Sequence, residues 1–153
     1  NILDFETDEQ YDLAICMGNS LNFFNAADVR KIFSMVSSCL KPGGQLLINS
    51  WSLAEIVFRT FKESGSSTIG NMQFAVQSAI SFQPARMETS STITRADGKT
   101  EEKTAVDYIF SINEMDAMLS SAGLLLKEVY SIPGRKKFTI GEPRAYLVSE
   151  KTN

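Results

Sequence analysis

The chain has 153 residues, 43% hydrophobic and 22% charged, with a net charge of −3 and no histidine. That length suits one domain with enough chain to bury a core, and the charge balance gives no footprint for nucleic acid. The two cysteines, Cys16 and Cys39, are not at metal-ligand spacing, so a transition-metal site is not expected.

Other coarse features point the same way. Arg135-Lys136-Lys137 is too short a basic run to bind nucleic acid and reads as a solvated loop. No apolar run reaches membrane-spanning length and no stretch reads as a signal peptide, so no membrane partner is expected. Both cysteines fall on apolar stripes; buried free thiols and a reducing cytoplasm are the expectation. The first residue is Asn rather than Met, which reads as a fragment or a processed product.

Residues 1–10 read as a strand end followed by an acidic loop. Residues 11–17, Tyr-Asp-Leu-Ala-Ile-Cys-Met, form a nearly continuous apolar run, the pattern of a strand covered on both faces. The run ends in Gly18-Asn19-Ser20, a turn of small polar residues at the carboxyl end of a strand, where open α/β sheets place ligands. Asn25 is positioned to cap a helix whose buried stripe is Val29, Ile32, Phe33, Val36, Cys39 and Leu40, with Asp28 giving a capping-box-like arrangement. Lys41-Pro42-Gly43-Gly44 stops that helix, and 45–51 is the next strand. Strand, helix, turn, strand makes a right-handed βαβ unit.

Residues 53–63 predict a helix, and 64–71, rich in Gly and Ser, predict a mobile loop. From Phe74 to Phe82 the apolar residues alternate with period two. Thr and Ser dominate 87–95, Asp97-Gly98 is a hairpin signal, and Val106, Tyr108 and Phe110 alternate again. This predicts an antiparallel sheet at about 72–111, within an inserted subregion 64–111. Ser111 and Glu114 form a capping box for a helix that Gly123 ends. Strands at 124–131 and 144–151 flank a loop at 135–142.

In this order, the pieces Tyr11-Asp-Leu-Ala-Ile-Cys-Met-Gly-Asn-Ser20, Leu40-Lys-Pro-Gly-Gly-Gln-Leu-Leu-Ile48, Ser111-Ile-Asn-Glu-Met-Asp-Ala-Met-Leu-Ser-Ser-Ala-Gly123 and Ala145-Tyr-Leu-Val-Ser-Glu-Lys151 resemble the C-terminal half of a class I S-adenosylmethionine-dependent methyltransferase. The resemblance implies an α/β fold. The chain would supply strands four to seven of a Rossmann-like sheet, the last antiparallel, with the inserted sheet serving as lid or oligomer contact. The family's Gly-x-Gly-x-Gly turn is absent from these residues. The chain by itself is therefore expected to bind S-adenosylmethionine weakly or not at all, and to be inactive.

The resemblance further implies that Met17, Gly18, Asn19 and Ser20 line the methionine end of the cofactor, with Asn1 and Ile2 beside its adenine. Around Gly18-Asn19-Ser20 the sequence is similar to glycine N-methyltransferase and related small-molecule enzymes. Trp51 falls at or near the Arg with which the glycine enzymes hold a carboxylate, so a different small acceptor is expected. Asn19, Trp51, Arg86 and Tyr108 are the candidate substrate contacts. Methyl transfer mainly needs alignment and water exclusion, so no catalytic triad is expected; Asp107 and Glu88 are possible proton acceptors without an assignment. A homodimer through the inserted sheet or an open strand edge is expected. Two other readings stay open: a non-catalytic assembly module with this fold, and a nicotinamide-dependent Rossmann enzyme, against which the Pro-Gly-Gly turn and the antiparallel last strand argue.

Overall fold

In a computed structural model describing residues 2–152, the chain builds two sheets. The first has five strands: β1 (Tyr11–Cys16), β2 (Leu40–Ser50), β7 (Leu124–Ile132), β8 (Lys136–Lys137) and β9 (Ala145–Lys151), in the spatial order β1-β2-β9-β7-β8. Strands β1 and β2 are parallel, joined through helix α1 (Ala26–Cys39) as a βαβ unit. The final strand runs antiparallel between β2 and β7.

Local sequence accounts for the helices. The Asn25 side chain accepts from the backbone N–H groups of Ala27 and Asp28, and Asn25 Nδ2 donates to the Asp28 carboxylate, so the first turn of α1 is capped on the spot. Its apolar stripe buries Val29, Ile32, Phe33 and Cys39. Helix α3 (Ile112–Ser121) begins in a complete capping box. Ser111 Oγ accepts from the Glu114 N–H, and the Glu114 carboxylate accepts from the Ser111 N–H. Met115, Met118 and Leu119 of α3 join Phe33, Leu46, Ile48, Leu124 and Leu147 in one core, each such buried side chain contributing about 1.5–3 kcal/mol. Helix α2 (Ala54–Thr60) is shorter than the 53–63 expected.

The Lys41-Pro42-Gly43-Gly44 turn lies inside β2 as an irregularity rather than before it. Tyr11 pairs with Leu40 and Leu13 with Gln45, so the residues between are looped out. Gly43 has φ of +76°, and a Cβ on Gly44 would lie 2.9 Å from the Lys41 carbonyl oxygen.

Two expectations need correction. Strand β1 is covered on one face only. It is the edge of its sheet, and Ala14 and Cys16 face the core while Leu13 and Ile15 are 55% and 65% exposed. A continuous apolar run cannot report that a covering layer is missing; among the described residues no helix lies over Leu13 and Ile15. Residues 64–71 are not a mobile loop: Ser64–Ile69 is strand β3, paired along its whole length with β4 (Met72–Phe82). The backbone ladder drives this strand while its Gly and Ser side chains stay exposed, so no hydrophobic pattern betrays it.

Strands β3, β4, β5 (Ala85–Thr94) and β6 (Thr100–Tyr108) form the second, wholly antiparallel sheet. Its turns sit at Gly70-Asn71, at Gln83-Pro84 and around Asp97-Gly98. Directly paired residues share a face, so Ile80, Met87 and Asp107 lie on one side and Ser81, Arg86 and Tyr108 on the other. Helices meet this sheet at its root, where the Phe58 ring of α2 lies 5.9 Å from the Phe82 ring of β4.

Replacing Ser111 by Ala removes half of the capping box without touching the core. The expected loss is about 1 kcal/mol, read as a fall of about 2–4 °C in the calorimetric midpoint, with the spectrum of the folded state unchanged.

Candidate functional site at the strand ends

The carboxyl ends of the parallel strands β1 and β2 meet the near end of β6. At their junction lies Asn19, 2% exposed, with φ of +63°. Asn is among the few side chains that tolerate this left-handed backbone. Its carboxamide is fully engaged. Oδ1 accepts from the Trp51 N–H (2.9 Å), the Ser52 N–H (3.1 Å) and Ser50 Oγ (3.1 Å). Nδ2 donates to Ser52 Oγ (2.8 Å) and to Asp107 Oδ1 (3.1 Å). One turn on, the buried Asn22 donates to the Tyr108 carbonyl (2.7 Å) and accepts from Ser50 Oγ (2.9 Å). These two asparagines tie the end of β1 to the end of β2 and to the inserted sheet.

Around this knot the surface is open. Gly18 has φ of +72°, and a Cβ built on it would meet nothing within 4 Å, so the backbone there can be approached closely. Met17 and Trp51 are each nearly half exposed. Beside β1 lies a largely apolar cavity of about 350 Å³, lined by Ile2, Cys16, Met17, Ser20 and Leu21 on one side and by Phe33 and Val36 of α1 on the other. Ser20 Oγ donates back to the Met17 carbonyl (2.9 Å), which steadies the turn.

The structure thus gathers Ile2, Met17 and Ser20 around one cavity, and joins Asn19 to the Trp51 backbone outside its lining; Asn1 lies outside the described residues. The carboxamide of Asn19 turns inward and the whole residue is buried, while Gly18 and Met17 before it are exposed. Arg86 and Tyr108 are brought together as direct cross-strand partners. They stand on the face of the inserted sheet turned away from Asn19, and Arg86 is held by Glu88 at 2.7 Å. Tyr108 lines a separate hollow of about 310 Å³ with Phe82, Pro84, Arg30 and Met118.

The residue that sequence reasoning left unassigned is Asp107. It alternates out of phase with Tyr108, so its carboxylate points at the strand ends. Burial holds its carboxyl above the ordinary aspartate value, and the hydrogen bond from Asn19 only partly offsets this. The chain pattern at 100–108 carries no sign of it, because its partner lies 88 positions away.

Asn19→Ala strips the Trp51 N–H of its acceptor and leaves the Ser52 N–H only its bond to Ser50 Oγ. A loss of about 3 kcal/mol is expected by denaturant unfolding. Asn19→Asp is expected to cost about as much, because it sets a second carboxylate against Asp107.

No family model matches the chain, and no curated protein matches its sequence. Solved structures do. An S-adenosylmethionine-dependent methyltransferase from Clostridium acetobutylicum superposes with a TM-score of 0.86 at 15% identity, over 100% of this chain and 63% of that one. The CcbJ methyltransferase from Streptomyces caelestis superposes with a TM-score of 0.87 at 15% identity, over 100% and 62%. CalS10, an amino pentose methyltransferase from Micromonospora echinaspora, gives 0.68 at 21%, over 99% and 63%. The chain therefore spans just under two thirds of the length of these proteins, and over that span it has the α/β fold of S-adenosylmethionine-dependent methyltransferases, inserted antiparallel sheet included.

Proposed function

We propose that this chain is the acceptor-side, C-terminal part of a class I S-adenosylmethionine-dependent methyltransferase domain acting on a small molecule. The observation that carries the reading is the fold shared along the whole chain with such enzymes, together with a cavity and an open glycine at the carboxyl end of β1, where α/β sheets hold ligands. The chain would contribute strands four to seven of the Rossmann-like sheet. The exposed apolar side chains Leu13 and Ile15 on the free edge of β1 support further chain covering that side in the working enzyme.

The residues present fit one side of the cofactor. Ile2 and Met17 offer apolar surface to its adenine and methionine portions, Gly18 lets backbone come close, and Ser20 rims the cavity; Asn1 would complete the adenine side. The bound cofactor supplies a methyl group on a sulfonium sulfur, a good leaving group. What the chain must add is alignment of an acceptor and exclusion of water. Trp51, half exposed at the end of β2, is suited to cover the acceptor, and an indole face suits an apolar or cationic group. Asn19 fixes the separation of the two strand ends between which donor and acceptor would meet. Arg86 and Tyr108 would act from the outer face of the inserted sheet, at the margin of the acceptor.

Titration of S-adenosylhomocysteine into the labelled 153-residue chain tests this reading. Saturable amide shifts at Ile2, Met17, Gly18 and Ser20 are expected, with a Kd of about 1 mM or weaker. Micromolar affinity by calorimetry would overturn the one-sided cradle; no saturable shift at all would overturn the methyltransferase reading.

An incompletely covered face of the inserted sheet supports a homodimer. Met72, Phe74, Val76, Ile80 and Met87 share one incompletely covered face, and the β1 edge is a second candidate seam. Light scattering at millimolar concentration is expected to give a dimer mass, and a monodisperse monomer there would rule the dimer out.

A further inference from the structure

We infer that Asp107 is the group that receives the acceptor: it holds a protonated amine at the ends of β1 and β2 and takes a proton from it before methyl transfer. The inference rests on the methyltransferase reading and adds to it a substrate charge and a proton acceptor.

Three observations carry it. First, position: Asp107 Oδ1 accepts from Asn19 Nδ2 at 3.1 Å, and Asn19 Oδ1 in turn accepts from the Trp51 N–H at 2.9 Å. The carboxylate is therefore joined through one carboxamide to the end of β2, and Asn19, which holds it, directly follows Gly18 at the end of β1.

Second, a vacancy in its bonding. Oδ2 has no hydrogen bond among the described residues, yet it is not among the buried unpartnered atoms, so it is open to solvent and to a ligand. Its neighbour Asn19 already holds Oδ1 in place, which fixes the direction in which Oδ2 points.

Third, isolation from charge. Asp107 is in none of the ion pairs formed by the described residues. The turn after β1, residues 17–23, and the end of β2, residues 50–52, contain no titratable side chain. Glu55, just beyond, accepts from the Ile112 N–H through Oε1. On β5 the residue opposite is Met87; Arg86 and Glu88 lie on the other face and pair with each other. On β6 the next residues of the same face are Ala105 and Lys103, and Lys103 pairs with Glu101. A half-buried carboxylate without a cation is unfavourable for the fold, and a cationic ligand is what would offset it. Burial also raises its proton affinity, which suits a group that must accept a proton.

The chemistry balances with a sulfonium methyl donor. A primary ammonium gives one proton to Asp107, which becomes a neutral carboxyl, and the freed nitrogen lone pair attacks the methyl carbon. The N–C bond forms as the C–S bond breaks, the bonding pair leaves with sulfur as a thioether, and the product is a secondary ammonium. The carboxyl proton then passes to water.

The test uses cyclohexylammonium, with cyclohexanol as a neutral probe of the same shape, titrated into the full chain at pH 7. The side-chain carboxyl of Asp107 and the side-chain amide of Asn19 are read by carbon and nitrogen NMR. The amine is expected to shift both signals saturably, to bind at least about tenfold tighter than the alcohol, a gap of about 1.4 kcal/mol, and to lower the Asp107 pKa when bound. Asp107→Asn, which keeps an acceptor for Asn19, is expected to weaken the amine at least tenfold and leave the alcohol unchanged. Equal binding of amine and alcohol, an unchanged Asp107 pKa, or full amine affinity in Asp107→Asn each overturns the inference. Should that variant not fold, the wild-type pKa response decides alone. Failure of the amine with S-adenosylhomocysteine still bound refutes only the role of Asp107. The reverse pattern leaves an ammonium site and removes the methyl donor.

Discussion

The arrangement depends on one carboxamide. Asn19 must adopt a left-handed backbone, accept three donors through one oxygen and give two hydrogens through one nitrogen, all in the interior. Few residues meet those demands together. Glycine tolerates the backbone but has no amide, aspartate has no donors and would face Asp107, and glutamine is a methylene too long. Unmade, these bonds would leave the Trp51 N–H without its acceptor and the Ser52 N–H with Ser50 Oγ alone. The turn that ends β1 is therefore a joint between strands before it is a ligand loop.

From that joint the position of the inserted sheet follows. Asn19 and Asn22 both reach β6, one through the Asp107 side chain and the other through the Tyr108 carbonyl. The Ile109 N–H donates to the Ala85 carbonyl and the Ala54 N–H to the Phe110 carbonyl, so the root of the insertion is stitched to the start of α2 as well. The far part of the sheet has no such attachment. The insertion is fixed where it borders the strand ends and free where it stands away from them. A wall that must hold one carboxylate over a site while offering an apolar face elsewhere has this distribution of contacts.

How much of this could be read from the sequence depends on the range of each interaction. The caps of α1 and α3 act within three residues, and Asn25, Ser111 and Glu114 announced them. The alternation of β4 and the Asp97-Gly98 turn are also local, and so is the helical stripe of α1. Strand β3 escaped because its stability lies in the backbone ladder, which Ser and Gly neither encode nor prevent. The exposure of Leu13 and Ile15 escaped because composition records the preference of a side chain and not the presence of a neighbour. The α/β layer with an antiparallel sheet was legible. The inward aim of the Asn19 amide was not, since its partners lie 31 to 88 positions away.

The same range argument explains why Asp107 needs a fold to acquire chemistry. On an isolated hairpin it would be one more acidic residue on a solvated strand, like Glu102 or Glu88. Pairing with Met87 places it on the apolar face, the two asparagines press that face against the strand ends, and desolvation follows. None of the ion pairs formed by the described residues includes Asp107. Methyl transfer to an amine needs a site that attracts a cation, removes one proton and keeps water away from a sulfonium. Under the proposed reading, a carboxylate whose proton affinity is raised by burial, held by Asn19 at the strand ends, would meet the first two needs from one side. The third requires a wall on the opposite side of β1, where the exposed Leu13 and Ile15 present an apolar surface for one.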